Sequence, residues 1–166
     1  DCAEAMLEHA QQKARSAGLR IPFVCQDIRR LSAHRPAQAI TCACDGVNYL
    51  TSMTDVEAFF RSAHAALVDD GLLLFDVSSA YKLEHVLGDR IYGEDLPDCA
   101  YVWQNAFDPN SRLLEMNLAF FLPDGRGKYA RYAERHVQRA HSARELTRAL
   151  GRSGFEVLAV YEAFTH

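Results

Sequence analysis

The chain has 166 residues, 49% of them apolar and 24% charged, which is enough for one sizeable core and too little for two complete domains. A formal charge of -4 gives no general attraction to nucleic-acid phosphates and weighs against a DNA-binding class, although Arg126, Lys128, Arg131, Arg135 and Arg139 form a local basic group. No apolar run approaches the roughly 20 residues that cross a bilayer, and the odd set of five cysteines points to a reducing cytoplasm rather than a disulfide framework.

Taken in chain order, residues 3–17 place Ala5, Met6, Ala10 and Ala14 with Leu7 on one side of a helix, and Gly18 follows where a helix stops. Residues 21–25 are short and apolar and predict a buried strand that delivers Asp27 to its C-terminal end. Residues 39–44 predict a second buried strand ending at Asp45-Gly46. A helix over 55–68 follows, with Val56, Phe59, Phe60, Ala63 and Leu67 on its core face and Thr54 as its N-cap. Asp69-Asp70-Gly71 turns into residues 72–77, an almost unbroken apolar strand expected to be covered on both faces. Strand, helix and strand in that order predict a parallel α/β sheet.

Beyond Ser78 the rhythm changes. Residues 101–107, 113–122 and 129–139 alternate, with Asp108-Pro109-Asn110 and Pro123-Asp124-Gly125-Arg126-Gly127 between them, and predict an antiparallel meander of about three strands. Ser142 caps a helix over 143–153, and residues 155–164 predict a last strand. The first helix opens as though a strand had just ended before it, so the N-terminal half of a nucleotide-binding fold is expected to be missing.

In order and spacing these segments resemble the class I S-adenosylmethionine-dependent methyltransferases. The matching strings are Asp1-x-Ala3-x-x-Met6-Leu7, Phe23-Val24-Cys25-Gln26-Asp27-Ile28, residues 40–50, Asp70-Gly71-Leu72-Leu73-Leu74-Phe75-Asp76 and Gly154-Phe155-Glu156-Val157. Cys44-Asp45-Gly46-Val47-Asn48-Tyr49-Leu50 and Glu134-Arg135-His136-Val137-Gln138-Arg139 are similar to strings in small bacterial members that carry an antiparallel insertion before the last helix. The resemblance implies an α/β, Rossmann-like sheet, incomplete because its first strands and last strand are absent. It implies one partial domain over 1–166, with a substrate-side meander over 100–140. The glycine-rich loop of the family has no counterpart in these residues.

The resemblance implies S-adenosylmethionine as cofactor. Asp1 matches the residue that accepts from the ribose hydroxyls, and Met6 would lie under the adenine. Asp27 is placed to accept from the adenine amine while the Ile28 N–H donates to the ring, and Ala43 and Cys44 line the cofactor wall. Asp45, Asn48 and Tyr49 occupy the loop above the site, and Tyr81 and Lys82 lie at the cleft rim. Strand alternation puts Glu134, His136 and Gln138 on one face, opposite Arg135, Val137 and Arg139. His136 and Tyr49 are the candidate catalytic bases, and Asn48, Tyr81, Glu134 and Gln138 the candidate acceptor-binding residues. Trp103, Phe107, Phe120 and Phe121 are expected in the core of the meander.

Cys42-x-Cys44 puts two sulfurs on one strand face, but two further ligands at suitable spacing are lacking, so no metal is expected. In-line methyl transfer needs donor and acceptor held about 3 Å apart and no nucleophilic residue, which fits a sequence without a Ser-His-Asp or paired-carboxylate signature. The methyl acceptor, small molecule or tRNA, stays open. Two other readings remain at this stage: a nicotinamide-dependent oxidoreductase on the same sheet, and a truncated, non-catalytic paralogue acting as an interaction module.

Overall fold

The computed structural model describes residues 1–162, so the end of the expected last strand lies outside the described residues. Helix α1 (Glu4–Ser16) is rich in alanine and in straight-chain polar residues, with Glu4 in its first turn and Lys13 and Arg15 in its last, the order the helix dipole favours. Gly18, at φ 69°, ends it in the left-handed region. Of its side chains only Ala14 is buried.

Strands β1 (Ala37–Cys42) and β2 (Leu67–Phe75) pair in parallel across helix α2 (Met53–Ala66), with Ala39 opposite Leu72 and Cys42 opposite Phe75. The expected strand-helix-strand unit is therefore present. The helix begins two residues earlier than expected: Ser52, not Thr54, accepts the Asp55 amide at 3.1 Å, because an oxygen at that position reaches the amide three residues on. Asp70, at φ 61°, breaks the register between Ala37 and Ala39, so the expected turn at 69–71 lies inside β2. Leu73 and Phe75 pack on the core whereas Leu72 and Leu74 are exposed, so among the described residues β2 is covered on one face where two were expected.

Residues 21–25 belong to no sheet, contrary to expectation. A strand exists only through its partner, and here the Gln26 amide donates to the Asp1 carbonyl at 2.9 Å in place of a ladder. Residues 155–162 likewise form no strand; Phe155 packs on the main core instead, edge-on to His64 with ring centres 5.2 Å apart.

The antiparallel sheet has four strands in chain order rather than three: β3 (Ile91–Leu96), β4 (Cys99–Asp108), β5 (Leu113–Pro123) and β6 (Tyr129–Arg139). Helix α3 (Ala143–Arg152) follows, started by a full capping box in which Ser142 and Glu145 exchange side-chain and backbone bonds. It stops at Gly154, at φ 92°, where any Cβ would lie 2.8 Å from His64 Nε2 and only glycine fits.

Two cores result. Val47, Leu50, Val56, Phe59, Phe60 and Ala63 join Leu146, Ala149 and Leu150 between α2, α3 and the parallel pair. Leu83, Leu114, Met116 and Ala140 form the second under the antiparallel sheet. Leu83 comes from a single π-helical turn, Lys82–Leu87, which closes the second core.

Candidate active site

A cleft of about 250 Å³ opens between the C-terminal ends of β1 and β2 and one face of the antiparallel sheet. Its wall includes Asp45 and Tyr49 after β1, Ser78 and Lys82 after β2, and Trp103, Met116, Leu118, His136 and Gln138 from the sheet. That is the edge at which open α/β sheets bind ligands.

The turn after β1 is strained. Cys44 and Asp45 have φ of 60° and 50°, a conformation that costs a side-chain-bearing residue about 1 to 2 kcal/mol. Asp45 is held there from two sides: its amide donates to Asp76 Oδ2 at 2.9 Å, and the Ser78 hydroxyl donates to its Oδ2 at 3.0 Å. Lys82 Nζ donates to the same hydroxyl at 3.2 Å.

Asn48, expected beside the substrate, is instead fully buried, and its amide is spent on backbone partners. Its Nδ2 donates to the carbonyls of Ser78 and Arg139, both at 3.0 Å, and its Oδ1 accepts the Ser78 amide at 2.9 Å. These partners fix which end of the amide is oxygen. They also clamp the turn after β1, the end of β2 and the end of β6 at one point, so Asn48 positions the two walls of the cleft.

Tyr49, His136 and Glu134 form a chain. His136 Nε2 lies 3.1 Å from Glu134 Oε2, and because a carboxylate accepts, Nε2 carries the proton. His136 Nδ1 is then the acceptor for the Tyr49 hydroxyl at 3.3 Å. Burial, then the Asp45 and Glu134 carboxylates, push the Tyr49 phenol above its ordinary pKa, against a lowering bond from Gln138. Tyr49 is therefore no standing phenolate at neutral pH. Gln138, 3% exposed, lines the same wall. Tyr81 does not line the cleft; its ring points to His85, edge-on with centres 5.1 Å apart.

None of the residues expected at the cofactor, Asp1, Met6, Asp27, Ile28, Ala43 and Cys44, lines this cleft. The bond from Gln26 to the Asp1 carbonyl brings Asp1 beside Asp27 in the chain path, and Asp1 Oδ1 accepts the Ala3 amide at 2.9 Å. Asp27 caps the turn Ile28–Arg30, and Arg29 binds both of its oxygens. That side-chain bond holds the Asp27 carboxyl down to about 2, and Arg29 reaches on to Asp55 at 3.0 Å, tying the turn to the start of α2. The Ile28 carbonyl accepts from Ser62 at 2.7 Å. Met6 is 65% exposed, and Ala43 and Cys44 are exposed at the end of β1. Burial, with Asp76 adding, raises the Cys42 thiol, and the left-handed turn at Cys44 ends the strand alternation that would have aligned the two sulfurs.

His141 is a residue that sequence reasoning missed; only its place before the Ser142 cap marks it. It is 2% exposed, donates from Nε2 to the Leu50 carbonyl at 3.0 Å and accepts from Arg139 at Nδ1 at 3.0 Å, which requires the neutral ring. Burial, then Arg139, holds its pKa below the ordinary 6.5. The unfolded chain therefore takes up the proton first, so the contribution of His141 is complete above that value and is lost as pH falls through it toward the lower folded value. We expect the melting temperature to fall between about pH 7.5 and about pH 5.5, and His141→Gln to remove part of that fall; an identical fall in the variant would disprove it. Glu145 does not blur the window. Its burial is outweighed by bonds from Ser142, Arg112 and Arg139, which hold it at about 2.

Known proteins share this fold. A family model described as a methyltransferase domain matches residues 1–71. A Geobacillus sp. (strain WCH70) protein that bears a methyltransferase name is 33% identical over 165 residues, covering 99% of this chain and 67% of its own length. YqeM of Bacillus subtilis (strain 168), which also bears a methyltransferase name, is 33% identical over 99% of this chain and 66% of its own. This chain thus spans about two thirds of the length of these relatives. The crystal structure of an S-adenosylmethionine-dependent methyltransferase from Clostridium acetobutylicum ATCC 824 superposes with a TM-score of 0.90 at 32% identity, covering 99% of this chain and 69% of that one. Streptomyces venezuelae DesVI, at 18% identity and a TM-score of 0.75 over 93% of this chain and 64% of its own, shares the fold. Strand order, cleft and relatives agree: the chain belongs to the class I S-adenosylmethionine-dependent methyltransferases.

Proposed function

We propose that this protein transfers a methyl group to an acceptor that carries a removable proton, an amine or a hydroxyl, and that the Tyr49-His136-Glu134 chain takes that proton. The chain itself is the observation that carries the reading. When bound, S-adenosylmethionine supplies a methyl group on a cationic sulfur. Asp1 and Asp27 are the proposed acceptors for its ribose hydroxyls and adenine amine, with Met6, Ile28, Ala43 and Cys44 along the same wall. The donor set fits: Asp1 Oδ2 is left for a hydroxyl by the bond at Oδ1, whereas an adenine amine shares Asp27 with Arg29.

Because Tyr49 is protonated at rest, the acceptor proton passes to the Tyr49 oxygen as the Tyr49 proton passes to His136 Nδ1, and Glu134 stabilises the imidazolium. Gln138 eases negative charge on the Tyr49 oxygen. The apolar wall of Met116, Leu118 and Trp103 excludes water from the reacting pair.

Among the described residues no helix is long and apolar enough to cross a membrane. All five cysteines are free, which supports a cytoplasmic location as part of this proposal.

Isothermal titration tests the cofactor side. S-adenosylmethionine and S-adenosylhomocysteine are expected to bind, NAD and NADP are not, and Asp27→Ala should weaken the first two by about tenfold, the worth of one charge-assisted hydrogen bond. Binding of a nicotinamide cofactor, or of none, would overturn the proposal.

A further inference from the structure

The cleft face of the antiparallel sheet continues past the cleft. Alternation from His136 and Trp103 sets out rows across the strands. One row holds Glu134, Leu118, Trp103 and Tyr92, and the next holds Tyr132, Phe120, Tyr101 and Glu94 side by side. Tyr101 and Phe120 have ring centres 6.3 Å apart, and Tyr92 and Trp103 5.4 Å. Phe120 and Tyr101 are half-buried, and Tyr132 is 55% exposed. None of the three belongs to either core. Three aromatic side chains in line, partly open to solvent and continuous with a cleft, are a surface on which a ring can lie.

Charge selects what kind of ring. On this face β3 to β6 carry two carboxylates, Glu94 and Glu134, and no lysine or arginine. The arginines of β6, Arg131, Arg135 and Arg139, all leave from the opposite face, where Arg135 pairs with Glu115. Lys82, on the far wall of the cleft, is bonded to Ser78. A phosphorylated or carboxylated ligand lying along these rows would meet two like charges and no cation on this face, the Lys82 ammonium being on the opposite wall, whereas a cation would meet carboxylates and aromatic faces together.

We propose that the row Tyr132-Phe120-Tyr101 is a subsite for the ring system of the methyl acceptor, and that the acceptor is a ring-bearing primary amine, cationic in solution. This rests on the reading of Tyr49 and His136 as the proton-accepting end. Tyr132 lies four residues along β6 from His136, about 13 Å, so an acceptor with its nitrogen at Tyr49 must extend by about two ring lengths to reach the row. The amine enters as an ammonium ion beside Glu134 and gives one proton to the Tyr49-His136 chain. Its lone pair then forms the new N–C bond as the S–C bond breaks, and the product leaves as a methylated ammonium ion with S-adenosylhomocysteine.

Trp103 is the single tryptophan of the chain and lies between the proton-accepting chain and the row, so its fluorescence reports binding without turnover. Three probes separate the components: 4-(aminomethyl)biphenyl, benzylamine and biphenyl-4-carboxylate. The biphenyl amine is expected to quench saturably and to bind about tenfold more tightly than benzylamine, the worth of one added stacking contact. It should also bind more tightly than the carboxylate. Tyr132→Ala should erase most of the advantage over benzylamine while leaving benzylamine itself unchanged; the side chain is more than half exposed, and circular dichroism verifies the fold.

Equal binding of the two amines, equal binding of amine and carboxylate, or an unaffected advantage in Tyr132→Ala would each overturn the proposal. The outcome is separable from the cofactor titration. S-adenosylmethionine binding without the biphenyl preference sinks the subsite alone, and the preference without S-adenosylmethionine binding sinks the methyl-transfer reading alone.

Discussion

His136→Ala is expected to lower kcat for N-methylation of benzylamine by about 10²- to 10⁴-fold, the range for loss of a positioned general base, with S-adenosylmethionine affinity unchanged. The expectation follows from the direction of the bonds. Glu134 accepts the Nε2–H hydrogen bond of His136, which leaves Nδ1 as the base in line with the Tyr49 hydroxyl. The Tyr49 phenol, pushed above its ordinary pKa, cannot hold the acceptor proton unless it passes its own on. Glu134→Gln should cost less, because glutamine still accepts from Nε2 but no longer offsets the imidazolium charge. Mass spectrometry of the N-methylated product with saturating cofactor measures both. A loss below about tenfold in His136→Ala would mean that proximity alone drives the reaction and the chain is a structural bond network.

Asn48→Asp is expected to destabilise the protein by about 3 kcal/mol or more, read as a lowered denaturation midpoint in urea at unchanged slope. The side chain is fully buried, and Nδ2 faces two carbonyl oxygens. An aspartate there brings an acceptor, and at neutral pH a charge, against two acceptors with no donor to replace the lost hydrogens. Asn48→Ala should cost less, because it leaves the three backbone groups unpaired without adding a repulsion. A change below about 1 kcal/mol in the aspartate variant would show that the clamp does not hold the cleft walls together.

What the sequence made legible is the part whose pattern is local. The parallel pair and α2 follow from apolar runs and periodicity, and α3 from Ser142 and Glu145 three residues apart. Strand β3 escaped because Ile91-Tyr92-Gly93-Glu94-Asp95 has no alternation of its own; its register comes from β4. Residues 21–25 and 155–162 show the reverse, an apolar strand pattern that joins neither sheet among the described residues. In the site, alternation brought Glu134, His136 and Gln138 to one face, and loop placement brought Tyr49 to them. The clamp at Asn48 and the neutral ring of His141 were not legible, since a buried asparagine and an exposed one read alike until the carbonyls of Ser78, Arg139 and Leu50 are in place. Trp103, expected in the core, packs against the second core and also forms the cleft wall, a double role that no sequence pattern separates.

The clamp also bears on how the molecule assembles in time. The antiparallel sheet is a run of consecutive hairpins whose turns join close neighbours, Leu96 with Cys99 and Asp108 with Leu113, so it closes with little loss of chain entropy. The bond from Asn48 to Arg139 joins residues 91 positions apart and needs both sheets already formed. The cleft is therefore expected to form last in folding, and the energy lost in Asn48→Asp should fall on the unfolding rate and leave the folding rate nearly unchanged, which stopped-flow refolding and unfolding in urea measure. The residues proposed to carry the chemistry would then meet only after the rest of the fold exists, so a chain halted short of that step is expected to have both walls and no joined cleft.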